Sequence, residues 1–183
     1  RTPDKIAVIF KDIRLTYFQL KELVESYSNK LIALGVSNGN IVAVHINRSQ
    51  KLMALQLAVL KIGAVFLPVD KRYPSERISY MCMDCNVKLL ITDEPEISVS
   101  NTHVIKLNVF ENINAIKKAD TVYNDKFCYI IYTSGSTGKP KGCMLTGSGL
   151  LNFCINNNTL ETLKKLNNCV FACVNSVSFD YFI

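Results

Sequence analysis

The 183-residue chain is 49% hydrophobic and 20% charged, a balance that excludes a disordered chain and fits a globular protein with a substantial core. Its net charge of +6 is spread without any concentrated basic run, which argues against a nucleic-acid surface, and no apolar stretch is long enough to span a membrane. The seven cysteines are an odd count, and the chain opens Arg1-Thr2-Pro3-Asp4 without a secretory leader, so free thiols in a cytoplasmic protein are expected.

In chain order, Thr16-Tyr17-Phe18-Gln19 has the form of a capping box. Leu20, Leu23, Val24, Tyr27, Leu31 and Leu34 follow at helical spacing, and Gly35 stands where a C′ glycine is expected. Ile41 to Ile46 reads as a strand. Ser49 is placed to cap a second helix holding Leu52, Leu55, Val59 and Leu60, with Gly63 ending it. Ala64 to Val69 is a further strand, interrupted by Pro68. Ser75 is placed to cap a third helix running to about Cys85. Val87 to Thr92 and His103 to Leu107 are the next strands. His45 and His103 lie on strands and are read as packing residues. Cys82-Met83-Asp84-Cys85 has metal-ligand spacing, but no second pair completes a site, so it is read as a helix face and no metal is expected there.

Strands alternating with helices predict an α/β fold, a mostly parallel sheet flanked by helices on both faces. The apolar run Phe127 to Tyr132 then leads into residues 133–142, Thr-Ser-Gly-Ser-Thr-Gly-Lys-Pro-Lys-Gly, which hold three glycines, four hydroxyls and two lysines. Glycines permit close backbone approach to an anion, hydroxyls and N–H groups donate to phosphate oxygens, and lysine adds charge. Such a loop at the end of a buried strand suits a polyphosphate. The alternative is a plain hydroxyl-rich surface turn. It is not a nucleotide-binding P-loop. Pro140 stands where that motif needs a magnesium-binding hydroxyl, and Thr133 where it needs its first glycine. Downstream, Ser148 to Leu166 reads as a helix and Cys169 to Val174 as a buried strand. The apolar stop at Phe179-Asp180-Tyr181-Phe182-Ile183 suggests a piece of a longer protein.

The loop Tyr132 to Gly142 resembles the signature loop of the AMP-forming adenylating enzymes, and most closely that of nonribosomal peptide synthetase adenylation domains. Leu15 to Leu20 resembles the family's first block. Leu60 to Asp70 with Tyr73-Pro74-Ser75-Glu76-Arg77 resembles the second, and Phe179-Asp180 the start of the next. The resemblance covers essentially the whole chain. It implies that residues 1–183 are the N-terminal portion of an AMP-binding adenylation domain, within its large subdomain, with the rest of that subdomain and the C-terminal lid absent.

The resemblance implies an enzyme that activates an amino-acid carboxylate with ATP, giving an aminoacyl-adenylate and pyrophosphate. The acyl group then passes to the phosphopantetheine thiol of a carrier protein, within a synthetase that also holds condensation domains. Thr133, Ser134, Gly135, Ser136, Thr137, Gly138, Lys141 and Gly142 would surround the phosphates, with Thr133 and Lys141 acting catalytically and Lys139 in support. Asp180 would pair with the substrate ammonium, against the alternative of a surface carboxylate. Asp70, Arg72 and Arg77 are read as fixing a turn and a helix start. Magnesium ligands are expected outside this chain, and the fragment alone is expected to be inactive. Gly147 departs from the family, which usually presents a histidine there. Two other readings stay open: an acyl- or aryl-CoA ligase of the same superfamily, and a non-catalytic truncated scaffold.

Overall fold

The computed structural model describes residues 2–110, 119–122, 126–134, 139–156, 170, 172, 173 and 176. Strands β1 (Ile6–Phe10) and β2 (Ile13–Thr16) form an antiparallel hairpin. Its turn holds Lys11 at φ 52, a left-handed conformation carried without glycine. The sequence pattern did not predict this hairpin. Thr16 then starts α1 (Tyr17–Ala33), and the capping box forms as expected. Gln19 N donates to Thr16 Oγ1 at 3.1 Å, and Thr16 N to Gln19 Oε1 at 2.9 Å. Gly35, at φ 78, turns the chain out of the helix.

Next come β3 (Ile41–His45), α2 (Gln50–Lys61), β4 (Val65–Pro68), α3 (Ser75–Asp84), β5 (Leu89–Thr92) and β6 (His103–Lys106). A short 3-10 turn, Leu107–Phe110, precedes β7 (Tyr129–Thr133), β8 (Lys141–Leu145) and α4 (Gly147–Asn156). The second sheet has the order β6-β5-β3-β4-β7-β8. Every pair in it is parallel except β7 with β8. The mostly parallel sheet is therefore present, closed on one side by an antiparallel strand.

Alternation along the strands sorts the core onto two faces. Val42, Val44, Phe66, Leu89, Ile91, Tyr129 and Ile131 pack with the apolar stripes of α1 and α2. Ala43, Val65, Leu67, Leu90, Ile130 and Tyr132 pack with Ile78, Met81 and Cys82 of α3. Helices thus cover both faces. Buried Glu25 of α1 accepts from Lys61 Nζ of α2 and, at 3.1 Å, from Ala119 N.

Several expectations are corrected. Ser49 is the N-cap of α2, but its side chain makes no capping bond; its Oγ turns to Asn47 O at 3.4 Å. The N-cap of α3 is Pro74 and Ser75 is the first helical residue, since proline already supplies the extended backbone that precedes a helix. His45 is buried as expected, whereas His103 is exposed, because it begins an outer strand of the sheet. Val170, Ala172 and Cys173 are exposed and lie in no strand, so the expected buried strand over Cys169 to Val174 is not found among the described residues. Apolar composition alone does not supply a partner to bury against. The helix expected from Ser148 begins at Gly147 and is described to Asn156.

Candidate functional site

Parallel pairing points the carboxyl ends of β3, β4, β5 and β7 to one side of the sheet, where open α/β sheets bind their ligands. The phosphate-type loop leaves from that side, after Thr133. It does not run into a helix. β7 and β8 pair from Tyr129↔Leu145 to Thr133↔Lys141, so residues 134–140 link two antiparallel strands. Pro140 accounts for this: it lacks an N–H and disfavours the helical conformation for the residue before it. Among the described residues, then, a strand and not a helix N-terminus stands at the exit of the loop.

Of the residues expected to hold phosphate, Thr133, Ser134, Lys139, Lys141 and Gly142 are described, and all five are exposed. Thr133 and Lys141 face each other as the last rung of the ladder. Gly135, Ser136, Thr137 and Gly138 lie outside the described residues, as does Asp180.

Helix α3 touches the hairpin on both sides of the loop. The Tyr132 hydroxyl donates to Asp84 Oδ2 at 2.5 Å and lies 3.0 Å from Cys85 Sγ. The Tyr80 hydroxyl donates to Pro140 O at 3.2 Å. The two tyrosine rings meet edge to face at 6.4 Å. Burial and the hydrogen bond to Asp84 hold the Tyr132 phenol neutral, with its pKa raised well above that of an ordinary tyrosine. Gly142 sits opposite Tyr132, and a Cβ there would come within 3.2 Å of Tyr132 Cζ and 3.3 Å of Ile130 Cγ2. Its lack of a side chain makes room for the aromatic ring.

At the same carboxyl side, Asp70 accepts from Arg72 N and Nε at 2.9 Å each and from an Arg72 terminal nitrogen at 2.8 Å. The Ser176 hydroxyl adds a bond at 2.5 Å. These partners, Arg72 foremost, hold the carboxyl well below the usual carboxylate range. The turn assigned to Asp70 and Arg72 is thus formed, and Arg77 lies 4.0 Å from the centre of the Tyr73 ring at the start of α3. Arg48 also donates to Cys173 O at 2.6 Å, so Cys173 and Ser176 both contact the loops that follow β3 and β4. Asn47 N and Nδ2 both donate to Asp93 Oδ2 at 2.8 Å, and Lys71 Nζ to Asp93 Oδ1 at 2.5 Å, joining the loops after β3, β4 and β5.

Sequence reasoning gave no role to Tyr80, Asp84 or Ser176, and it quoted Tyr132 only as the first residue of the signature loop. The four-residue spacing of Tyr80 and Asp84 marks one face of α3, but nothing in it names Tyr132 or Pro140 as partners. Cys82 and Cys85, free on α3, are buried and half-buried; desolvation pushes the Cys82 thiol up to about 12, so it is not a reactive thiolate. No helix among the described residues is long and apolar enough to cross a membrane.

Comparison with known proteins places this geometry. The profile of the family described as AMP-binding enzyme matches residues 1–183. Bacitracin synthase 1 of Bacillus licheniformis is 37% identical over 190 residues, spanning 100% of this chain and 4% of that protein. Gramicidin S synthase 2 of Brevibacillus brevis is 34% identical over 173 residues, spanning 88% of this chain and 4% of that protein. The chain thus spans a small part of the synthases it matches. A crystal form of the Klebsiella oxytoca NpsA N-terminal subdomain superposes with a TM-score of 0.78 at 30% identity, covering 84% of this chain and 42% of that one. The nonribosomal peptide synthetase FmoA3 shares the fold, with a TM-score of 0.85 over 99% of this chain and 19% of that one, at 24% identity. From the profile, the relatives and the sheet architecture together, the chain belongs to the AMP-binding enzyme family and resembles the adenylation domains of nonribosomal peptide synthetases.

Proposed function

We propose that the protein carrying this chain activates an amino-acid carboxylate with ATP, forming an aminoacyl-adenylate and pyrophosphate. The observation that carries this reading is the glycine- and hydroxyl-rich segment 133–142, which runs from the last residue of β7 into β8 on the carboxyl side of the sheet. Residues 1–183 form the N-terminal portion of the adenylation domain.

In this reading the substrate carboxylate attacks the α-phosphorus, and the bond to the β,γ-diphosphate breaks. Negative charge grows on the departing pyrophosphate. Exposed donors fixed at the last rung of a ladder, Thr133 and Lys141, meet that charge with little rearrangement, which is the usual largest contribution to such catalysis. Ser134 and the 135–138 segment add hydroxyls and N–H groups, and Lys139 adds charge. Gly142 supports the hairpin beneath them. Asp180 pairs with the substrate ammonium and so disfavours acids lacking one, which would leave its carboxylate unpaired. Magnesium would accompany ATP and offset its charge. Its protein ligands are those the family resemblance puts outside this chain.

The synthase relatives support a carrier protein as acceptor, through its phosphopantetheine thiol, in a cytoplasmic multidomain synthetase with condensation domains. A solved NpsA-ThdA protein is an artificial fusion of an adenylation and a carrier domain. An aryl acid is the second reading, favoured by NpsA structures in complex with 3-hydroxybenzoyl-AMSN and anthranilyl-AMSN.

The test is exchange of labelled pyrophosphate into ATP by the intact protein. Exchange should depend on one amino acid, and Lys141→Ala should lower it by roughly a hundredfold. Exchange driven by an aryl acid lacking an amine would favour the second reading. No exchange with any carboxylic acid would remove both.

A further inference from the structure

We infer that Tyr80, Asp84 and Tyr132 form a clamp by which helix α3 fixes both stems of the 134–140 loop, making them positioning residues for the ATP polyphosphate. The inference rests on the reading just given, that this loop receives that polyphosphate.

One hydrogen bond falls just before the residues assigned to phosphate, and the other between two of them, Lys139 and Lys141. Tyr132 immediately precedes Thr133, and Pro140 immediately precedes Lys141. The Tyr132–Asp84 bond therefore holds the ascending stem, and the Tyr80–Pro140 bond the descending one. The ladder cannot do this by itself, because its pairing ends at Thr133↔Lys141 and Pro140 has no N–H to extend it. Tyr80 and Asp84 lie four residues apart on α3, hence on one face, and each reaches a different stem. Gly142 completes the device. A side chain there would press on the Tyr132 ring, so the closing glycine of the segment serves the clamp's geometry.

A stem held in place before the ligand arrives lowers the ordering cost of binding and aims Thr133 and Lys141 at the phosphates. Loss of one stem bond should therefore weaken nucleotide binding more than amino-acid binding. The exposure of Asp84 makes a clean variant available: when the Tyr132 hydroxyl is removed, the carboxylate can hydrate, and the ring still fills its place.

The experiment uses the intact protein, with wild type, Tyr132→Phe, Tyr80→Phe, Asp84→Asn, Asp84→Ala and the Tyr132→Phe/Asp84→Ala double variant. Pyrophosphate exchange gives KM for MgATP and for the amino acid separately. Hydrogen exchange on peptides covering 129–145 reports stem order without nucleotide. Tyr132→Phe should raise KM for MgATP about five- to tenfold, the size expected for one hydrogen bond, while KM for the amino acid stays within about twofold. The double variant should be no worse than Tyr132→Phe alone, and Asp84→Asn, which keeps an acceptor oxygen, should recover most of what Asp84→Ala loses. Hydrogen exchange of the stems should rise in Tyr132→Phe and in Tyr80→Phe. Equal rises in both KM values, additive losses in the double variant, or unchanged stem exchange would overturn the clamp. If wild type shows no ATP-dependent exchange but Tyr132→Phe still loosens the stems, the phosphate assignment fails while the mechanical link stands.

Discussion

The two faces of the parallel sheet are built to different ends. The face under α1 and α2 buries Tyr27, Tyr129 and Cys128 among its aliphatics, with the Glu25–Lys61 pair as its charged element. The face under α3 likewise buries a tyrosine and a cysteine, Tyr132 and Cys82, but here tyrosine hydroxyls make hydrogen bonds at the β7–β8 hairpin, at Tyr132 and at Pro140. On the first face the Tyr27 ring meets Phe110 edge to face at 5.3 Å. On the second, the Tyr132 hydroxyl bonds Asp84 and the Tyr80 hydroxyl bonds Pro140 O, so α3 is tied to both stems of the loop. One face stabilises the fold; the other directs it.

Substitutions on each face should separate these roles. The largest effect is expected from Phe66→Ala on the α1–α2 face, where the ring is fully buried. It should cost about 3–5 kcal/mol in denaturant unfolding, seen as a lower midpoint at unchanged slope. Gly142→Ala, beneath Tyr132, should cost less stability, about 1–3 kcal/mol, because an added methyl forces the ring to shift. Its effect on KM for MgATP should nevertheless exceed that of Phe66→Ala, measured where both variants are folded. A reversed order would erase the distinction between the faces.

The smallest effect concerns acid. Asp70 has its pKa lowered in the folded state, so its contribution to stability is complete above the ordinary carboxylate value, about 4. That contribution is lost as pH falls below this value toward the lowered one. Asp70→Asn should therefore flatten the acid limb of a melting-temperature profile between about pH 4 and 2, relative to wild type. An unchanged limb would mean that Arg72 and Ser176 do not favour the charged form in solution.

Local signals made much of this legible. Thr16 and Gln19 announced α1, and β-branched runs announced β3 and β5, because capping and buried-strand patterns are contained within a few neighbouring residues. The β1–β2 turn was not legible: Lys11-Asp12 lacks the asparagine or glycine that usually marks such a turn. β8 was missed for a related reason, since Lys141-Gly142-Cys143 reads as the tail of a loop and becomes a strand only by pairing with β7. At the site, glycines, hydroxyls and lysines in succession were visible at once. The tyrosine contacts were not, because they join residues 48 and 60 positions apart and depend on where α3 docks. Proximity of that kind belongs to topology, not to any window of sequence.

The antiparallel pairing of β8 with β7 would also limit how the loop adapts to a polyphosphate, if it holds the one proposed. Its two ends leave from one rung, Thr133 opposite Lys141, and such a rung keeps its Cα atoms about 5 Å apart. The mouth cannot widen as a hinged flap would. Any wider gape must unzip the ladder from its tip, breaking the Thr133–Lys141 rung first and straining the Tyr132 bond to helix α3 immediately behind it.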